Sequence, residues 1–282
     1  MNLSIAYLGP PGTNSETAAK AYADWLAKQE KINTRLCPYP TIAQAIQSLS
    51  NQALDLAIVP VENSINGSVA VTLDILWQSV GIFIQQAVIL PIEHALLTQT
   101  QVLNEIKTVY SHPQALGQCQ KWLENNLPAS NLIATNSTAE AVKIIQSESK
   151  AAAIASVRAA ELYQVPVLAE KINDYPDNCT KFWVLSHKTA QKYQSDYISL
   201  GFSLAANKPG ALVKPLQTFA EREINLTRIE SRPTKRSLGE YIFFIDLAAP
   251  TNQHTLEQAL AQLSEQTEIL KIFGRYNLLY LE

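Results

Sequence analysis

The stretch IAYLGPPGTNSETAAKAYADWL, residues 5–26, decides the fold class. Residues 5–8 form a short apolar run, as a buried strand does, and it stops at Gly9-Pro10-Pro11-Gly12, a turn. Behind the turn, Ala18, Ala19, Tyr22, Trp25 and Leu26 recur on one face at helical spacing. Strand, turn and helix in that order open an α/β unit.

The pattern repeats along the next 160 residues or so. Thr41 reads as the N-cap of a helix whose stripe is Ile42, Ala45, Ile46 and Leu49. Further strands are expected at 55–61, 82–90, 95–98, 107–110, 151–155, 167–171 and 182–185. A helix turns Leu116, Cys119, Trp122 and Leu123 inward, and Ser137-Thr138-Ala139-Glu140 is a capping box ahead of Val142 and Ile145. Alternation of this kind predicts α/β layers with largely parallel sheets. We read two lobes, one from 1–80 and 160–187, the other from 81–159. The polar run at 188–196, KTAQKYQSD, is the expected linker. From 197 to 282 the order is β-α-β-β-α-β, a ferredoxin-like pattern. Its first helix opens at Pro209-Gly210, and its second carries Leu256, Ala259, Leu260 and Leu263. On this division the chain up to Ser195 folds by itself.

Composition excludes several functions. Twenty-two basic against 25 acidic side chains leave a net charge of −3, with no basic surplus for nucleic acid. No segment approaches the ~20 apolar residues of a membrane span, and the N-terminus lacks the regions of a secretory signal. A cytoplasmic protein is expected. Cys37, Cys119 and Cys179 are odd in number and far apart, so no disulfide framework follows, and small buried or half-buried thiols are expected. His94, His112, His187 and His254 form no zinc spacing, and no phosphate loop or nucleophile elbow occurs. No metal or cofactor is expected.

What remains is a cluster of polar residues where strands give way to helices. Thr13, Asn14 and Ser15 follow the first strand; Glu62, Asn63 and Ser64 follow 55–61; Ser111 and His112 follow 107–110. Asn136, Ser137 and Thr138 open the capping-box helix, and Ser156 follows 151–155. In open α/β sheets such strand ends face the ligand crevice, and helix N-termini there offer free N–H groups to carboxylates. Each residue alone reads as a helix cap; together they predict a small-anion site. Thr180-Lys181-Phe182 stands apart, in what reads as a loop after Asp177-Asn178, where Lys181 is either a solvated lysine or an anion ligand.

At these residues the chain resembles the prephenate dehydratase family. The resemblance rests on five motifs: Leu8-Gly9-Pro10-Pro11-Gly12-Thr13; Val59-Pro60-Val61-Glu62-Asn63-Ser64 with Gly67-Ser68; Ser111-His112-Pro113-Gln114-Ala115-Leu116; Asn136-Ser137-Thr138-Ala139; and Asn178-x-Thr180-Lys181-Phe182. It implies a two-lobed catalytic domain of periplasmic-binding-protein-like type followed by an ACT regulatory domain. The implied reaction is decarboxylating dehydration of prephenate to phenylpyruvate, without metal or redox cofactor. Arogenate as substrate and a non-catalytic amino- or keto-acid-binding protein are the alternatives. By position in the motifs, Thr180 sits at the leaving hydroxyl, and Asn63, Ser111 and Gln118 bind or orient substrate. Thr13, Ser64 and Phe182 join them, with Thr138 and Lys181 assigned to the carboxylates. The resemblance also implies a phenylalanine site made by Gly210, Ala211, Leu212 and Val213 with Glu230, Ser231, Arg232 and Pro233, across the ACT interface of a homodimer or homotetramer. Two positions depart from the family: Lys181 stands where arginine is usual, and Asn14 where an aromatic residue is usual.

Overall fold

The first strand, turn and helix form where the opening stretch puts them. The computed structural model describes residues 2–187, 195–249 and 252–281, so most of the expected linker, 188–194, lies outside the described residues. β1 (Asn2–Leu8), α1 (Asn14–Gln29), β2 (Asn33–Tyr39), α2 (Ile42–Ser50) and β3 (Leu56–Asn63) wind a parallel unit with β1 between β2 and β3. Thr13 and Thr41 cap the two helices, accepting from the N–H groups of Glu16 and Gln44. α1 packs Ala18, Ala19, Tyr22 and Leu26 on one face of the sheet, and α2 packs Ala45, Ile46 and Leu49 on the other.

After β4 (Gly67–Ser68), α3 (Ala70–Gln78) and β5 (Phe83–Pro91) the chain crosses to a second lobe. There β6 (Ala95–Thr98), β7 (Thr108–Ser111), α4 (Pro113–Gln118), α5 (Gln120–Asn126), β8 (Asn131–Ala134), α6 (Thr138–Ile145), β9 (Ala151–Ala155), α7 (Val157–Tyr163) and β10 (Val167–Ala169) form a sheet of order β10-β6-β9-β7-β8. The chain returns on β11 (Cys179–Ser186), antiparallel between β3 and β5. The lobe boundaries therefore differ from those read in the sequence. β5 belongs to the first sheet because it pairs with β11, while α7 and β10 stay with the second. In each lobe two parallel crossovers leave a central strand with a neighbour on either side, β1 in the first and β7 in the second. The crevice opens at the carboxyl ends of such strands.

β12 (Tyr197–Ser203), α8 (Val213–Ala220), β13 (Leu226–Pro233), β14 (Tyr241–Ala248), α9 (Gln253–Gln266) and β15 (Ile269–Tyr276) form the ferredoxin-like domain, an antiparallel sheet of order β13-β14-β12-β15. One face buries Phe202, Phe219, Ile245, Leu256 and Leu263 beneath the helices. The other face is covered by the first lobe: Ile242, Phe244, Phe273 and Tyr276 share one core with Leu73, Leu76, Ile84 and Trp183. Gly274 permits the approach, since a Cβ there would stand 2.5 Å from the carbonyl oxygen of Ile84.

The last strand, β16 (Leu278–Tyr280), leaves the ferredoxin-like unit and pairs in parallel with β5 on the edge of the first sheet. The first lobe is thus completed by residues from the end of the chain, and the fragment ending at Ser195 lacks both that edge and the cover over Leu73, Leu76 and Ile84. We expect residues 1–195, made alone, to self-associate and to melt at least ~5 °C below the full chain, given the few degrees that each lost kcal/mol is worth in a protein of this size. Light scattering and a thermal melt check this. A monodisperse fragment with the parent Tm would show that the two units are independent after all.

Candidate active site

A cleft of about 740 Å3 lies between the lobes, and its floor is the end of the β3–β11 pair. Asn63 and Thr180 stand opposite each other in that pair and both line the cleft. The polarity of the floor can be worked out from two backbone donors. The N–H groups of Ile65 and Asn66 both donate to Asn63 Oδ1, at 3.2 and 3.0 Å. A backbone N–H cannot accept, so that atom of the carboxamide is the oxygen and the other is the NH2. Asn63 Nδ2 therefore donates one proton to Asn178 Oδ1 at 2.8 Å and the other to Thr180 Oγ1 at 3.0 Å, shared with the carbonyl of Cys179 at 3.1 Å. Asn178 is oriented in turn, and its Nδ2 donates to Gln118 Oε1 at 3.0 Å. Gln118 Nε2 then donates to Asn66 Oδ1 at 2.6 Å. His94 Nε2, 2.8 Å from Gln118 Oε1, must be the protonated ring nitrogen, because that oxygen only accepts. Burial lowers the pKa of His94, so the ring is neutral near pH 7.

The Thr180 hydroxyl ends this chain. It accepts from Asn63, and among the described residues nothing accepts its own proton, so that proton is available to a molecule in the cleft. Two helix starts supply further donors. α1 opens at Asn14 and Ser15, and α6 at Thr138 behind its cap Ser137; all four line the cleft. The first N–H groups of a helix have no partner within it. Glu140 closes the capping motif by accepting from the N–H of Asn136 at 2.8 Å, one residue before the cap. Lys143, one turn further on, also lines the cleft and is the cation there among the described residues.

The expected site residues divide into two groups. Thr13, Asn63, Gln118, Thr138, Thr180 and Phe182 line the cleft. Ser111, Ser64 and Lys181 do not. Ser111 is fully buried and donates to the carbonyl of Ile154 at 2.6 Å, tying β7 to β9. Ser64 accepts from the N–H of Cys179 at 3.0 Å, holding the loop after β3 against β11. Lys181 was expected in a loop, on a carboxylate. It lies instead on β11, where alternation turns it to the face opposite Thr180, and its Nζ is 2.9 Å from Asp246 of β14. His94, Asn66 and Lys143 were not expected. The apolar run around His94 hides it, and Lys143 becomes visible only once α6 is placed at the rim. Cys119 is buried and its thiol is pushed up to about 12 by that burial, consistent with a packing role.

The ferredoxin-like domain has its own cavity of about 470 Å3, lined by Gly210, Ala211, Leu212 and Val213 together with Tyr241 and Phe243. Gly210 has φ +77 in a turn, and α8 begins only at Val213, so the expected helix start is displaced by three residues. Glu230, Ser231, Arg232 and Pro233 do not line this cavity. They lie on β13, at the sheet edge, where alternation turns Glu230 and Arg232 toward the first lobe. Ser68 Oγ donates to Glu230 at 3.1 Å, and Arg232 pairs with Asp74 at 3.0 Å. Ser231 and Pro233 face outward, exposed.

These features define a class: a two-lobed α/β protein whose cleft is lined by helix starts, hydroxyl and amide groups and a lysine, carrying an appended ferredoxin-like domain with a cavity of its own. Comparison with known proteins agrees. The family model for prephenate dehydratase matches residues 5–190, and that for the ACT domain matches 198–265. The chain is 42% identical over 281 residues to a prephenate dehydratase of Methanocaldococcus jannaschii, covering 98% of each. It is 37% identical over 274 residues to a bifunctional chorismate mutase/prephenate dehydratase of Aquifex aeolicus, covering 97% of this chain and 73% of that one. The structure of a prephenate dehydratase from Arthrobacter aurescens in complex with L-Phe superposes with a TM-score of 0.86 at 31% identity, covering 98% of this chain and 90% of that one. The chain belongs to the prephenate dehydratase family; it is a hydro-lyase with an ACT domain. Among the described residues no helix is long and apolar enough to cross a membrane.

The amide chain makes Gln118 a sensitive position. Gln118→Glu keeps the shape but replaces the NH2 facing Asn66 Oδ1 with an oxygen, leaving two acceptors in contact. Urea unfolding should show a loss of about 1–3 kcal/mol, the usual cost of an unmade buried hydrogen bond. No loss would mean that the amides are not oriented as deduced.

Proposed function

We propose that prephenate lies in the cleft with its two carboxylates on the starts of α1 and α6 and on Lys143, and that Thr180 donates to the ring hydroxyl as it leaves. The observation that carries this reading is the direction of the Asn63–Thr180 hydrogen bond, which frees the threonine proton for the substrate. In the reaction the bond from ring to carboxylate breaks and CO2 departs. The electron pair moves through the ring and expels hydroxide from the opposite carbon, and the ring becomes aromatic. Hydroxide needs a hydrogen bond or proton as it forms. A threonine hydroxyl is too weak an acid to give its proton away near pH 7, so Thr180 acts as a fixed donor. Phe182, on the same strand face, offers apolar surface to the ring.

Regulation follows the same reading. Phenylalanine occupies the cavity at Gly210–Val213, and a second copy of the chain brings its own residues 231 and 233 over it. Two facts support this: within one chain the two segments do not share a cavity, and β13 is an open sheet edge. The homo-oligomer is therefore part of the effector site.

Thr180→Ala should lower kcat for phenylpyruvate formation by roughly 10²–10³ with little change in KM, the usual effect of losing one transition-state donor. Thr180→Ser should keep most of the activity because it keeps the hydroxyl. Running prephenate and arogenate in parallel identifies the preferred substrate. A Thr180→Ala enzyme as fast as the parent would refute the donor role, and no turnover of either acid by the parent would favour a binding protein.

A further inference from the structure

The two faces of the β3–β11 pair serve different domains. Asn63 and Thr180 point into the cleft, and the next residues, Glu62 and Lys181, pair with each other in register on the opposite face. There Lys181 meets Asp246, a carboxylate of the ACT domain with no solvent exposure. Asp246 is also held by Arg228, with Nε at 2.9 Å and Nη2 at 3.3 Å, and by the hydroxyl of Ser199. The Arg228 guanidinium lies over the Trp183 ring, 5.5 Å from its centre, so this cluster touches β11 at two alternate residues. Glu62 lies 3.8 Å from Lys181 Nζ and completes the group.

This tether matters because the ladder beside it is irregular. Between Lys181 and Phe182 the β3–β11 register shifts: Glu62 faces Lys181 but Pro60 faces Phe182, so Val61 is the extra residue of a bulge. Pro60 has no N–H to donate to a ladder, and a bulge is a place within a sheet where that is tolerated. Pairing with β3 is therefore irregular just beyond Lys181, while β5 pairs with β11 in unbroken register from Cys179 to Val184, and the side chain of Lys181 adds a fixed point on the side where the ladder is broken. A second tie reaches the same place: Ser68, opposite Glu62 in the β3–β4 pair, donates to Glu230 of the ACT domain.

We infer that Asp246 is a positioning residue for the reaction: from the ACT domain it holds Lys181, and through Lys181 it keeps the Thr180 hydroxyl aligned with Asn63 and the substrate. The inference rests on the proposed donor role of Thr180. Lys181 is thus the link between the regulatory domain and the reacting bond, one residue from it, and does not bind a carboxylate of the substrate.

Lys181→Met is the informative variant, since Asp246 keeps Arg228 and Ser199 as partners and the protein retains its fold. Its kcat for prephenate should fall about tenfold with KM within about twofold of the parent, the pattern of a loss confined to the transition state. Asp246→Asn should lower kcat in the same way, and Lys181→Arg should restore the parent value. In a Thr180→Ala background Lys181→Met should have no further effect, because the hydroxyl that it aligns is gone. A general loss of folding would lower both backgrounds alike. Parental kcat in Lys181→Met, a rise in KM alone, or an undiminished tenfold loss in the Thr180→Ala background would each overturn the inference. Activity of Thr180→Ala by itself tests the donor role separately.

Discussion

Two backbone N–H groups, those of Ile65 and Asn66, determine the chemistry of the cleft. By donating to Asn63 Oδ1 they decide which end of that carboxamide faces Thr180. Every later bond in the chain Asn63, Asn178, Gln118 and His94 inherits its direction from that choice. A loop of a few residues after β3 therefore settles the protonated nitrogen of His94, at the far end of that chain. It also settles that the threonine hydroxyl accepts from the protein. On the proposed mechanism this is a fixed dipole aimed at developing negative charge, formed when the protein folds and needing no rearrangement when hydroxide departs.

The same strand pair also joins the domains. A period of two places Asn63 and Thr180 on the cleft face and Glu62 and Lys181 on the other, so the contact of Lys181 with Asp246 of the ACT sheet lies one residue from Thr180. The buried ions here are not a large source of stability, because the desolvation of Asp246, Lys181 and Arg228 offsets much of their attraction. Burial alone would raise the Asp246 pKa, but Arg228 and Lys181 together hold it below the usual carboxylate range. Its share of stability is therefore present at neutral pH and disappears only as pH falls through that lowered value. Stability of the interface comes instead from Phe244, Phe273, Tyr276 and Ile242 packed on Leu73, Leu76 and Ile84. The ions specify which residues meet.

Much of the fold was legible because its signals are periodic. The stripes of α1 and α2, the capping motif of α6, the buried strands at 55–61 and 151–155 and the β-α-β-β-α-β order of the C-terminal part are patterns of 3.6 or of 2. The missed elements carry no such contrast. β2 is a half-exposed edge strand containing Arg35 and Pro38, β8 is exposed at all four positions, and α3 is apolar around much of its circumference. β16 is three residues long and makes sense only beside β5. The site was half legible for a related reason. Polar residues at strand ends point to a crevice, and Thr180, Asn63 and Gln118, singled out from the resemblance, do line the cleft. Whether a residue near a strand end faces the crevice depends on register, and register is a tertiary property. Lys181 was misread because β11 begins at Cys179, three residues before its apolar run at 182–185, and Ser111 because a buried hydroxyl and a ligand hydroxyl look alike in sequence.

Neutron diffraction from a deuterated crystal reads the direction of the Asn63–Thr180 hydrogen bond directly. The account requires two deuterons on the Asn63 atom nearest Thr180, one of them pointing at Thr180 Oγ1, with the Thr180 deuteron turned into the cleft. It requires a deuteron on His94 Nε2 as well. A Thr180 deuteron directed at Asn63, with the carboxamide reversed, would contradict the account and remove the proposed donor from the reaction.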